Sequence, residues 1–258
     1  MPRLKLTVEY DGTDYAGWQA QTNARSIQSV LAAAFVPLTG RPARLYAAGR
    51  TDAGVHALGQ VVHTDVTQSR TVETWQSALN AHLPPDIRVR RVEVVGEDFH
   101  ARKSARAKLY HYAFWRGRVE SPRWRRYSLT VPTTLDWAAM DAAARHFVGC
   151  HDFAPFSVAD RTVQTTVRTI HAVTWHPSPA EPTLAAGDPL WPSELVAVAF
   201  YGDGFLRHQV RRMVGALLAV GQRKLAPDVI RELLCGAKQF ATIVTAPPHG
   251  LTLLRVDY

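Results

Sequence analysis

Cysteine is almost absent: of 258 residues only Cys150 and Cys235 carry a thiol, far apart and without a partner at metal-ligand spacing. That excludes a disulfide framework and a thiolate zinc site, and it suits a reducing cytoplasm. Long apolar runs are missing too. No stretch reaches the ~18 apolar residues of a membrane span, and MPRLKLTVEY alternates charged and apolar residues where a signal peptide needs an unbroken apolar run. A soluble, cytoplasmic protein is expected. The chain holds no Walker lysine loop, HExxH, zinc-deaminase cysteine pair or GxSxG elbow, so its chemistry must run on ordinary side chains. Lysine is scarce as well, with only Lys5, Lys103, Lys108, Lys224 and Lys238, yet Lys+Arg number 30 against 22 Asp+Glu, a net charge of +8. The excess predicts attraction to polyanions, nucleic acid first, and arginine is the better fork for phosphate and the better stacking partner for bases. Codon composition would produce the same bias, so charge alone identifies nothing.

The length allows one large domain or two modest ones. Leu4, Leu6, Val8 and Tyr10 alternate with polar residues and predict a strand over 3–10, followed by a loop, DGTDYAGWQAQ. Ser26 is a suitable N-cap for a helix running to Leu38, stopped by Gly40. Strands near 44–48 and 60–66 bracket GRTDAGVHALG, which reads as a loop between them; a helix near 73–83 stops at Pro84 and Pro85, and 87–95 is strand-like. The pattern resumes after Phe99 with strands near 108–116, 167–175, 194–201 and 251–257 and helices near 136–148, 205–220 and 227–235. Five prolines between 177 and 193 predict an exposed excursion. This mixed order favours an α+β fold over a doubly wound parallel sheet, with a boundary near residue 105 separating domains 1–105 and 106–258.

Three segments could carry chemistry. In AAGRTDAGVHALGQ, Asp52 would ordinarily be a turn former. Here Gly49 and Gly54 permit close approach, Ala53 and Val55 supply a dry wall, and Arg50 offers a cation that would keep the carboxylate ionised, so Asp52 is a candidate nucleophile or base. His56 could titrate near neutrality but more often serves structure. The segment from Phe99 to Arg126 holds nine basic residues from Arg102 onward against the single acid Glu120. On a strand, Tyr110, Tyr112 and Phe114 share one face, which predicts an aromatic row turned to a core; either all these rings are packing or one tyrosine is left to stack on a base. The pattern does not choose between Tyr110 and Tyr112. In GDGFLRHQVRRMVGALLAVG, Arg207 and Arg211 at a spacing of four could project from one helix surface toward an anion, although the missing third glycine excludes a dinucleotide fingerprint.

Taken together these segments resemble the tRNA pseudouridine synthases of the TruA type. The marker is GRTDAGVHA (Gly49 to Ala57), accompanied in order by YDGTDYAGWQ, SIQSVL, GQVVH, LPPDI, FHAR, Tyr110 with Tyr112, HDFAPF, FLRHQVRRMVG, APPHGLTL and VDY. The resemblance spans nearly the whole chain. It implies two α+β domains with mixed, largely antiparallel sheets meeting around a basic RNA-binding cleft. It also implies a homodimer that needs no cofactor and isomerises uridine at positions 38, 39 and 40 of the tRNA anticodon stem-loop. By the same resemblance Asp52 is the catalytic carboxylate, Arg211 pairs with it, and Tyr110 packs on the target base. Arg50 fills the space that the flipped base leaves, and Phe99, His100, Ala101, Arg102 and Lys103 contact the RNA. Gln209 and Arg212 depart from the family pattern, which usually has methionine and asparagine there. Two alternatives compete: a silent tRNA-binding protein, which would not need Asp52, and a metal-dependent nuclease using Asp52, Asp65 and nearby histidines, which would need clustered carboxylates.

Overall fold

The computed structural model describes residues 1–160, 163–176, 192–236 and 243–258. Most of the predicted proline-rich excursion, residues 177–191, lies outside the described residues. In chain order the elements are β1 (Arg3–Tyr10), α1 (Ile27–Ala33), α2 (Val36–Thr39), β2 (Tyr46–Ala47), β3 (His56–Asp65), α3 (Val72–His82), β4 (Ile87–Val95) and β5 (Ala107–Trp115). They continue with β6 (Leu129–Thr130), α4 (Trp137–Arg145), β7 (Gly149–Asp152), β8 (Val167–His176), β9 (Leu195–Gly202), α5 (Gln209–Gly221), α6 (Val229–Leu234) and β10 (Leu251–Asp257). The chain is α+β, and it divides into two compact units, Met1–Lys108 with Thr252–Tyr258, and Leu109–Leu251.

In the first unit the strand order is β4-β1-β3-β10, with β2 beside β3. β1 runs antiparallel to β3 and β4, whereas β10 is parallel to β3. The period-two pattern of β1 sends Leu4, Leu6, Val8 and Tyr10 into the core and leaves its other residues half exposed. At Gly59 a Cβ would lie 2.4 Å from the Leu254 carbonyl oxygen, so the missing side chain lets the last strand close on β3. Ser26 caps α1 through a reciprocal hydrogen-bond box with Ser29. The helix expected to reach Leu38 is interrupted after Ala33 and resumes as the short α2, whose second residue, Pro37, cannot donate to a continuing ladder.

In the second unit the order is β5-β9-β8-β7, with β6 parallel to β5. β8 is antiparallel to β7 and β9. The short, polar β6 and β7 have no apolar alternation that would have announced them. Helices α4 and α5 pack at Gly221, where an added Cβ would fall 2.5 Å from the Met140 sulfur. α5 begins at Gln209, four residues later than the pattern suggested, because His208 adopts φ 60° and the Gln209 side-chain oxygen accepts the Leu206 N–H at 2.8 Å. Arg207 therefore precedes the helix, and the expected one-turn pairing with Arg211 does not form. Gln209 is buried and serves as the start signal of α5, which gives a physical role to its departure from the family pattern. Arg212 likewise has a task of its own, donating to the Pro155 carbonyl at 3.1 Å.

Candidate active site

The loop that carries Asp52 connects β2 to β3, and its backbone is pinned from several directions. The Ala48 N–H donates to Val61 O at 2.8 Å, and the Gln60 side-chain amide donates to Gly49 O at 2.9 Å. Trp18 N–H donates to Thr51 O at 3.0 Å, Gly54 N–H to Tyr15 O at 3.3 Å, and Val55 N–H to Asp52 O at 3.1 Å. The Thr51 hydroxyl lies 2.8 Å from the buried Tyr10 hydroxyl, whose pKa burial pushes up to about 12, so the phenol stays a neutral hydrogen-bonding group. Two motifs distant in sequence, YDGTDYAGW and GRTDAG, thus hold each other through main-chain bonds. A carboxylate that must react at one place gains from such a rigid base.

Glycines make the contact possible. Gly17 has φ +90°, and a Cβ there would lie 2.6 Å from Thr51 O; at Gly12 it would lie 2.0 Å from Val55 O. Gly17→Ala is therefore expected to cost roughly 1–3 kcal/mol through strain and overpacking, and to slow turnover by displacing the Asp52 loop. A urea midpoint equal to wild type with unaltered kcat would show that the loop tolerates the displacement.

Asp52 is half-buried in this loop, while Arg50 is exposed. Among the described residues Arg50 forms no ion pair, so the local cation expected from the two-residue spacing is not supplied by Arg50. Lys108 approaches instead: its Nζ lies 3.2 Å from where a Gly49 Cβ would be, which puts an ammonium against the loop backbone. His56 stands on β3, which starts four residues earlier than expected, and is 3% exposed. Its Nδ1 lies 3.1 Å from the Gly12 N–H and accepts from it, so the imidazole is a strut between β3 and the 11–18 loop.

The aromatic row of β5 is buried as predicted, with Tyr110, Tyr112 and Phe114 at 7%, 0% and 0% exposure. The structure distinguishes the two tyrosines. The Tyr112 hydroxyl donates to the Pro247 carbonyl at 2.9 Å, its ring occupies the space left by Gly250, and burial raises its pKa. The C-terminal APPHGL motif is thus the seat of Tyr112. Tyr110 packs edge-on against Phe205, with ring centroids 5.2 Å apart, and keeps the small exposed fraction. Trp115 and Trp124 pack on Ala113, Leu195 and Ala197. Arg211, half-buried on α5, is held by a reciprocal pair of bonds: its Nε donates to Ala246 O at 2.8 Å, and Ala246 N–H donates to Arg211 O at 3.1 Å. This fixes the plane of the guanidinium.

Within the 99–103 segment, Phe99 and Ala101 turn inward onto Ala48 and Val61. The Ala101 N–H donates to His63 Nδ1 at 3.1 Å, and its carbonyl accepts the Tyr258 hydroxyl at 2.8 Å. Arg102 and Lys103 are exposed, and His100 lies half-buried between the two sets. Asp65, which a nuclease would have needed, is forked by Arg3 at 2.7 and 3.0 Å, a hydrogen bond that holds its pKa down. Among the described residues no group of three His, Cys, Asp or Glu side chains could hold a metal ion. No helix among them is long and apolar enough to cross a membrane. Neither Cys150 nor Cys235 is in a disulfide.

The chain belongs to the tRNA pseudouridine synthase family, whose model matches residues 6–102 and 143–258. Members of this family are isomerases. Among its curated relatives, the tRNA pseudouridine synthase A of Nitratidesulfovibrio vulgaris strain Hildenborough is 41% identical over 288 aligned positions, covering 100% of this chain and 97% of the relative. The proteins of the same name from Geobacter sulfurreducens and Exiguobacterium sp. are each 42% identical, covering 100% of this chain and 100% and 98% of their own lengths.

Proposed function

We propose that this chain converts uridine to pseudouridine in the anticodon stem-loop of tRNA, at positions 38, 39 and 40, without a cofactor and with Asp52 as nucleophile or base. The reaction is an isomerisation. The N1–C1′ bond breaks, the uracil turns while bound, C5 bonds to C1′, and the proton leaving C5 is balanced by one gained at N1. No second substrate or redox carrier is required, and one carboxylate suffices. The observation that carries this reading is the Asp52 loop: a half-buried carboxylate among small residues, on a backbone pinned from Tyr15, Trp18, Gln60 and Val61. Small neighbours leave room for a flipped nucleotide, since the base cannot react inside a helical stack.

In this reading the two domains divide the work. The N-terminal one brings Asp52 and Arg50, the latter filling the place of the flipped base, and the C-terminal one brings Tyr110 against the base and Arg211 beside the carboxylate. Phe99 and Ala101 anchor the RNA-facing segment from within, His100 orders it, and Arg102 and Lys103 meet phosphates. The enzyme works as a cytoplasmic homodimer. Tritium release from C5-labelled uridine in tRNA, with mapping of pseudouridines in cells lacking the protein, tests the reading; unchanged pseudouridine at all three positions would refute it.

The tyrosines separate in a single experiment. Tyr110→Phe should keep tRNA affinity, because the ring still stacks, and should slow the step after binding if the hydroxyl helps remove the C5 proton. Tyr112→Phe leaves the Pro247 carbonyl without its donor and should lower stability by about 1 kcal/mol with little effect on rate. The reverse pattern in single-turnover rates and urea midpoints would exchange the two assignments.

A further inference from the structure

Arg44 is exposed and stands two residues before β2 starts at Tyr46, eight before Asp52. Its guanidinium carbon sits 5.1 Å over the Tyr46 ring. That ring stacks on His63, with centroids 4.9 Å apart and planes at 14°, and His100 packs on both, at 4.7 Å from His63 and 5.7 Å from Tyr46. His63 cannot yield: it is 2% exposed, its Nδ1 is engaged by the Ala101 N–H, and burial, with His100 and Arg3 adding to it, holds its pKa down at about 4. The imidazole is neutral at pH 7, and the ladder of rings from β2, β3 and the 99–103 segment is fixed. An arginine laid on such a ladder has lost much of the rotamer freedom that an exposed side chain must otherwise give up on binding.

Among the described residues no carboxylate claims this cation. Among the described residues Arg44 forms no ion pair, and Asp65, which lines the same hollow as Arg44, Arg41 and Pro42, is already forked by Arg3. On its other side Arg44 borders a recess with Tyr46 and with Gln19 and Gln28, two residues of the N-terminal motifs that no catalytic role has used. His100 ties the ladder to the segment beyond it, because its Nδ1 accepts the Arg102 N–H at 3.2 Å.

We propose that Arg44, held on Tyr46, is a further RNA-contacting residue that meets a tRNA backbone phosphate in continuity with Arg102 and Lys103. This rests on the reading that the 99–103 segment faces tRNA. A held, unneutralised guanidinium on a rigid aromatic base is suited to a phosphate and supplies position rather than sequence preference.

The test is fluorescence-anisotropy binding of one labelled tRNA across a salt series, for wild type, Arg44→Ala, Arg44→Lys and the double variant Arg102→Ala/Lys103→Ala. Arg44→Ala should lower the slope of log affinity against log salt by about 0.7 to 0.9, and Arg44→Lys should restore it. If Arg44→Ala matches wild type while the double variant lowers the slope, Arg44 is outside the RNA face and the inference is wrong. If the double variant also matches wild type, the parent reading of the 99–103 segment has failed. A lower sedimentation mass for Arg44→Ala would assign the residue to contacts between copies of the chain and overturn the proposal.

Discussion

Asp52→Asn is expected to abolish pseudouridine formation, by roughly 10⁴-fold or more, while leaving tRNA affinity within about threefold of wild type. The amide is nearly isosteric with the carboxylate, so the loop should keep its shape. Its main-chain bonds to Tyr15, Trp18 and Val61 do not involve the Asp52 side chain. What changes is chemistry: an amide neither attacks a sugar or ring carbon nor accepts a proton at neutral pH. Tritium release from C5-labelled tRNA measures the loss, and anisotropy measures the binding that should survive. Retained turnover in the purified variant would place the reaction on another group. A silent tRNA-binding protein would show no turnover in the wild type either, so the same pair of measurements disposes of that alternative.

Arg211→Ala is expected to be the second most damaging substitution, lowering kcat by about 10²-fold or more. Its guanidinium is oriented before any substrate arrives, because Nε is spent on Ala246 O and the backbone of each residue is bonded to the other. A guanidinium held in one plane is suited to a carboxylate. Arg211→Lys should recover little, since a lysine keeps the charge but cannot both bond Ala246 and present a planar fork. The discriminating readout is the pH profile. On the proposed pairing with Asp52, loss of the Arg211 cation should move the acid limb of kcat to higher pH, because the ionised form is no longer favoured. Misfolding alone would lower the amount of active enzyme without moving that limb. An unshifted limb together with a wild-type maximal rate would remove Arg211 from the mechanism.

Periodicity made most elements legible. Strand β1 alternates over its full length, β4 is rich in β-branched residues, and Ser26, Thr71 and Asp136 each cap a helix through a side-chain oxygen. Local pattern failed where long-range contacts outweigh propensity. His56 to Gly59 read as loop because of their glycine and alanine neighbours, yet they are strand because β1 and β10 pair with them from both sides. The start of α5 was misplaced because a left-handed His208 is invisible in a run that is otherwise helix-compatible.

In the sequence the class of chemistry was legible through the GRTDAGVHA motif, which sets Asp52 among small residues and carries the resemblance to the family, while scarce cysteine and arginine-borne charge only narrowed the alternatives. The sequence by itself also determined that Tyr110, Tyr112 and Phe114 share a face, because a strand's side chains alternate. Tertiary structure alone decided which tyrosine is locked to Pro247, that Arg50 makes no ion pair among the described residues, and that Gly12 and Gly17 let one motif lie against another. Those outcomes depend on atoms brought within 3 Å from tens of residues away, and neither charge, spacing nor period encodes such a distance.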